Sequence, residues 1–258
     1  MKKRTPRLVV ANWKLNPPSL GEGKKLFLGI RKKARAVRGV TTVVCPPFVF
    51  ISSLRSLFTS RSIALGAQDV SSETEGAFTG EVSARMLKSA GATYVIIGHS
   101  ERRARGEDNK EINKKIHTAL KAGFRVILCI GESVRDEHGE YLSFLKREIE
   151  EGLAHVPQKS FSQLIIAYEP IWAIGKGADY AITPHELHEM VIFVRKTMKE
   201  IFKKSDVVDV PILYGGSVGP ENADELLRDG NVDGFLVGSQ SLSASHFGEI
   251  LLSAAKKS

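Results

Sequence analysis

Eight short runs of apolar, largely β-branched residues punctuate the chain, at 8–11, 40–45, 63–67, 94–98, 125–130, 164–168, 212–215 and 234–238. Most hold consecutive apolar residues rather than a strict alternation, the pattern of strands buried on both faces of a parallel sheet. Helical patterning fills segments between them. Residues 22–37 are amphipathic, and 81–90 and 110–122 run into Gly91 and Gly123, the residue type that stops helices. Thr183-Pro184 ahead of 185–204 supplies an N-cap and a first-turn proline, and 220–228 runs into Asp229-Gly230.

No Pro/Ser-rich linker or low-complexity tract divides the 258 residues, so the chain reads as one α/β domain. Eight strand–helix units at this length predict a (β/α)8 barrel, typically ~250 residues long. A doubly wound sheet would want a GxGxxG phosphate loop after an early strand. Gly175-Lys176-Gly177 comes late and lacks the third glycine.

Composition narrows the partners. Hydrophobic residues are 42% and charged residues 26% of the chain, as in a globular protein with a sizeable core. No apolar run approaches the ~18–20 residues that cross a bilayer, and the N-terminal run 8–11 is too short for a signal peptide. Cys45 and Cys129 both sit in strand-like runs, which predicts buried free thiols in a reducing cytoplasm. With 37 basic against 29 acidic residues the net charge is +8, but the cations are scattered on helical faces. A solvated surface that draws in a small anion fits this better than a nucleic-acid groove.

The chemistry gathers at the strand ends, which in a barrel form the active-site rim. Asn12 and Lys14 follow the first strand, Gln68 the third, His99-Ser100-Glu101 the fourth, Glu132 the fifth and Glu169 the sixth. Gly215-Gly216-Ser217 and Gly238-Ser239 end the seventh and eighth. Each has an ordinary explanation alone: an ion pair for Lys14, a satisfied core histidine for His99, packing for Trp172 and Cys129, turns for the glycines. Together on one rim they provide a base, an electrophile, a cation and bared backbone N–H groups. No metal-ligand spacing and no Gly-x-Ser-x-Gly elbow appears among them. Loops after strands seven and eight commonly hold phosphate in such barrels, so a small phosphorylated substrate is expected.

These residues sit in ANWKLN, GAQD, GAFTGEVS, IIGHSERR, CIGE, AYEPIWAIGKG, YGGSV and DGFLVGSQSL, spread over nearly the whole chain. The set resembles the triosephosphate isomerase family. That resemblance implies a TIM barrel and the interconversion of dihydroxyacetone phosphate and glyceraldehyde 3-phosphate. It implies no cofactor, and usually a homodimer; the missing ligand spacing leads to the expectation of no metal. By its motifs, Glu169 would be the base, and His99 would polarise the carbonyl. Lys14, aided by Asn12, would stabilise the anion, and Glu101 would organise the lysine. Amides of Gly175, Ser217, Gly238 and Ser239 would hold the phosphate. This family is also a familiar case of a glutamate base working beside a histidine kept neutral at a helix N-terminus. His99 directly precedes such a helix start at Ser100-Glu101, where the dipole disfavours imidazolium.

YEPIWAIGKG then reads as a lid: Pro170-Ile171-Trp172 a stiff hinge, Ala173-Ile174 the tip and Gly175-Lys176-Gly177 the second hinge. The loop from Asp69 to Gly80 is longer than a usual barrel connection and would enter the partner subunit, with Thr79 at the contact. The chain departs from the family's usual residues at Ser239, Lys176, Ala178, Asp69 and Asn231, and the segment after Arg103 is about one residue shorter. Two other functions remain open at this level. One is an aldolase-type barrel with Lys14 as a Schiff-base nucleophile. The other is a non-catalytic basic protein that binds nucleic acid.

Overall fold

The computed structural model describes residues 6–58, 63–174, 181–202 and 210–256. Eight parallel strands, β1 (Arg7–Asn12), β2 (Val40–Cys45), β3 (Ala64–Ala67), β4 (Tyr94–Ile97), β5 (Arg125–Ile130), β6 (Leu164–Tyr168), β7 (Ile212–Tyr214) and β8 (Gly234–Val237), pair in sequence order. β8 returns to pair with β1, Leu8 opposite Gly234, and closes the (β/α)8 barrel. Every expected strand is present, trimmed by a residue where a strand-end glycine leaves the sheet.

Closure explains the unbroken apolar runs. Leu8 and Val10 of β1 belong to one buried cluster with Val43, Ile96, Ile127, Ile165, Leu213 and Leu236, which fills the barrel. Val9 and Ala11 belong to a second cluster shared with the helices. Neighbouring residues on a strand point to opposite faces, so both faces must be apolar when both are covered.

The helices are α1 (Leu20–Ala36), α2 (Phe48–Arg55), α3 (Ala84–Ser89), α4 (Ser100–Arg103), α5 (Asn109–Lys121), α6 (Glu140–Gly152), α7 (Pro184–Phe202), α8 (Ala223–Asp229) and α9 (Ala244–Ala255). Caps set their starts. Ser19 accepts from the Glu22 amide, Ser83 from Met86 and Asp108 from Glu111. The Ser83 cap starts α3 three residues after the expected position. Three helices, α2, α6 and α9, lie outside the expected set. α2 is only eight residues long and opens on four consecutive apolar residues, FVFI, so its helical period is hard to see in sequence. α6 does carry an amphipathic stripe through Leu145, Ile149 and Gly152, and was legible.

Candidate active site

Most of the strand-end residues converge on one cleft of about 230 Å³ at the C-terminal mouth of the barrel, while Gln68, Glu101 and Glu132 do not line it. Asn12, Lys14, His99, Glu169, Ser217, Gly238 and Ser239 all line it. Its volume falls below the ~300–1,000 Å³ typical of drug-sized ligands, which points to a molecule of a few carbons.

Glu169 leaves β6 into the cleft and is only 2% exposed. Its Oε1 lies 3.4 Å from His99 Nε2, and its Oε2 accepts the Ser100 amide N–H at 3.1 Å. Two glycines make room for it. A Cβ on Gly131 would stand 1.8 Å from the Glu169 carbonyl oxygen, and one on Gly215 would stand 2.8 Å from its Cγ. Cys129 sits behind, a buried free thiol held far above its ordinary pKa by desolvation and by the Glu169 charge. Cys45 is buried and free as well.

His99 caps α4 with its side chain. Nδ1 accepts the Glu101 amide N–H at 3.1 Å. A nitrogen that accepts carries no proton, so a neutral ring presents its N–H from Nε2 towards Glu169 and the cleft.

Lys14 adopts a left-handed backbone, φ +52, uncommon for a residue with a side chain. Asn12 Oδ1 accepts the Lys14 amide at 3.1 Å, and Gln68 Nε2 donates to the Lys14 carbonyl at 2.8 Å and to Cys45 O at 2.9 Å. The ammonium lands 2.7 Å from Glu101 Oε1 on the half-open rim, with the two side chains 30% and 58% exposed. Although desolvation pushes the other way, the hydrogen bond and charge of Lys14 hold the Glu101 carboxyl below its ordinary pKa. Glu101 contacts Lys14, which lines the cleft, and does not line it itself.

On the opposite wall, Gly215-Gly216-Ser217 and Gly238-Ser239 form open turns. Ser217 Oγ donates to the Ala173 carbonyl at 2.7 Å, and Ser241 Oγ pins the Gly238 carbonyl at 2.6 Å. Gly238 leads into a short 3-10 helix, Ser239–Leu242. Ile171–Ala173 forms another 3-10 turn at the expected first hinge. Gly175, with the rest of 175–180, lies outside the described residues, and the expected second hinge falls there too.

Residues 7–254 match the triosephosphate isomerase family. The chain belongs to that family. It is 43% identical over 247 residues to the triosephosphate isomerase of a Roseiflexus species, covering 95% of both chains. It is 41% identical to that of Dehalococcoides mccartyi, covering 96% of this chain and 97% of the other. To that of Natranaerobius thermophilus it is 39% identical, covering 95% and 94%. These matches lend nothing to the aldolase or nucleic-acid readings.

One departure from the family's usual residues acquires a physical account. Asp69 pairs with Lys115 at 2.9 Å and Arg102 at 2.8 Å, and Lys115 also meets Glu107 at 3.0 Å. The cations match the extra charge, while burial still lifts the Asp69 carboxyl above its ordinary range. Asn231 has φ +55, a left-handed conformation that Asn and Asp both tolerate, so the change from the usual Asp has no structural explanation.

Sequence reasoning missed a buried pair behind the site. Glu148 Oε2 accepts the Gly131 amide at 2.9 Å, and Arg103 Nη1 stands 3.0 Å from Oε1 without hydrogen-bond alignment. Arg103 also donates to Gly98 O and Cys129 O, tying the ends of β4 and β5. Desolvation raises the Glu148 pKa to about 7 against the lowering pull of Arg103. Glu148 lies inside α6, where helix periodicity alone would mark it as a core position holding the wrong residue type.

Among the described residues, no group of three or more His, Cys, Asp or Glu could hold a metal ion. No helix there is long and apolar enough to cross a membrane.

Proposed function

We propose that the chain interconverts dihydroxyacetone phosphate and D-glyceraldehyde 3-phosphate with the side chains gathered at the barrel mouth. The reaction moves a proton between adjacent carbons through an enediolate. The observation that carries this reading is the pair Glu169 and His99, 3.4 Å apart, in a small cleft that also receives Lys14 and two glycine turns.

Glu169 takes the carbon-bound proton. The Ser100 N–H that holds Oε2 gives way to substrate, and the walls around Glu169 keep water from competing for the carboxylate. His99, presenting Nε2–H, polarises the carbonyl and passes protons between the two oxygens. Lys14 offsets the negative charge of substrate and enediolate, with Asn12 fixing its backbone and Glu101 its ammonium. Amides at Ser217, Gly238 and Ser239, with Gly175, take the phosphate oxygens, as backbone N–H groups at turns do. A coupled assay with glyceraldehyde 3-phosphate in the presence of chelator tests the reaction. No dihydroxyacetone phosphate formed would overturn the reading.

The assembly is read as a homodimer. Leu15, Val49, Met86 and Phe78 are exposed by 93%, 79%, 60% and 46%, on the segments that follow β1, β2 and β3. Apolar side chains grouped this way suit a protein partner. In this reading the loop from Asp69 to Gly80 enters the partner near Asn12, Lys14 and His99. Thr79→Arg should then dissociate the dimer and remove most activity together. A fully active monomer by light scattering would break that coupling. The closed β1–β8 pairing supports one domain, and two free thiols suit a reducing cytoplasm.

A further inference from the structure

Arg135 lies in the loop after β5, three residues past Glu132, and was not among the residues marked by sequence. Its guanidinium touches both ends of the segment that leaves β6 and enters α7. On the entry side, Nε donates to Glu132 Oε1 at 3.1 Å and Nη2 to the Tyr168 hydroxyl at 3.0 Å. The same cation stands 5.1 Å from the Trp172 ring centroid and 5.6 Å from that of Tyr141. On the exit side, Nη1 donates to Glu186 Oε1 at 3.3 Å. Glu186 is the residue that closes the α7 cap: its Oε2 accepts from the Thr183 amide and hydroxyl at 2.9 and 2.6 Å.

The entry side is organised around one buried carboxylate. Glu132 Oε1 accepts the Tyr168 hydroxyl at 2.8 Å and the Trp172 indole N–H at 2.9 Å, in addition to Arg135. Tyr168 is the residue before Glu169, and Trp172 lies three residues after it. A buried carboxylate needs a cation nearby, and here that cation is the one that also reaches α7. A planar fork can lie against two rings and still serve three oxygens, which an ammonium cannot.

We propose that Arg135 is a positioning residue for isomerisation, fastening the entry turn that carries Glu169 and Trp172 to the capped start of α7. The proposal rests on the isomerase reading above. Arg135 touches no reacting atom. It acts by holding Glu132, Tyr168 and Trp172, and so the approach of Glu169 to the cleft.

Arg135→Met and Arg135→Lys test it, since Arg135 is partly exposed and neither change opens the barrel core. Four quantities are measured: kcat, KM, melting temperature, and the split of products between the triose phosphate isomer and free phosphate. An enediolate with a phosphate on the adjacent carbon can expel it, breaking the C–O bond and leaving methylglyoxal, when the intermediate is poorly held. Misplacement of a reacting group by about 1 Å can cost up to ~10²-fold, so Arg135→Met should lower kcat by roughly 10–10²-fold. KM should stay within about threefold, since the phosphate is gripped elsewhere, while the free-phosphate fraction rises. Arg135→Lys should recover melting temperature but not kcat.

A purely structural role would lower the melting temperature and leave kcat and the product split of the folded enzyme unchanged. That result overturns the proposal, as does full recovery of kcat by lysine, which would reduce Arg135 to a counter-charge. Acrylamide quenching of Trp172, with Trp13 wholly buried, gives a readout that does not depend on turnover. Arg135→Met should raise it, and an unchanged value also counts against the proposal. A wild type that does not isomerise overturns the isomerase reading and this role with it. An active wild type with an equally active Arg135→Met overturns the role of Arg135 alone.

Discussion

The two walls of the cleft are built from different material. Glu169 and His99 are buried side chains, boxed by Gly131 and Gly215 and held by the Ser100 and Glu101 amides. Ser217, Gly238 and Ser239 sit on open turns, and what they offer is backbone. In the proposed reaction the contrast follows from the two tasks. A base that removes a carbon-bound proton must be desolvated and placed within tenths of an ångström, which requires a side chain packed on every flank. An anion needs only several N–H groups pointing inwards, and it accepts some variation in the side chains that accompany them. On that proposal the family's usual glycine can be Ser239 in this chain, while Glu169 has no such latitude.

Substituting one wall at a time should expose the difference. Glu169→Gln should lower kcat by at least ~10³-fold, at the upper end of what general base catalysis contributes, with KM within several-fold of wild type. Steady-state kinetics decide it, and unchanged turnover would remove Glu169 as the base. Lys14→Met should come next. It should weaken a phosphorylated substrate analogue by roughly 10–10²-fold, the worth of one charged hydrogen bond, and lower kcat as well. Normal analogue binding by calorimetry would show that the cation serves neither wall.

A third effect is on stability and comes from behind the base. Glu148 has its pKa raised from the ordinary 4.5 to about 7 in the folded chain. Below pH 4.5 folded and unfolded chains both hold its proton. As pH rises towards 7 the unfolded chain gives it up first, so this group's contribution to stability falls across that window. Glu148→Gln cannot titrate, so its stability relative to wild type should improve by roughly 1–3 kcal/mol between pH 5 and pH 8. Urea unfolding at the two pH values measures this, and a constant difference would mean that Glu148 does not titrate there. The smallest effect belongs to the open wall. Ser239→Gly should shift KM by no more than about twofold, as expected for an exposed substitution. A tenfold change would mean that the phosphate wall relies on a side chain after all.

The sequence by itself determined the class of fold and the cast of the site. Eight two-sided apolar runs admit a closed parallel barrel or a doubly wound sheet, the arrangements that cover both faces. The number of units and the lack of an early glycine loop favoured the barrel. Polar residues at the ends of such strands must then share a rim, so Asn12, Lys14, His99, Glu169 and the glycine turns could be grouped without coordinates. Helix starts were legible where a cap preceded an amphipathic stripe, as at Thr183. The short α2, opening on FVFI, has a period that is hard to see in sequence.

Tertiary structure decided the pairings. Lys14 could have met Glu101 or Glu169, and it is the left-handed backbone at Lys14, braced by Asn12 and Gln68, that sends the ammonium to Glu101. Glu132 stood on the same rim as the others but turns to Tyr168, Trp172 and Arg135. Arg103 and Glu148 are separated by 45 positions, and neither has a local neighbour that betrays the other. Burial, orientation and charge pairing are properties of groups brought together from distant parts of the chain. Periodicity reports only which face a residue takes, so those partners had to await the closed barrel.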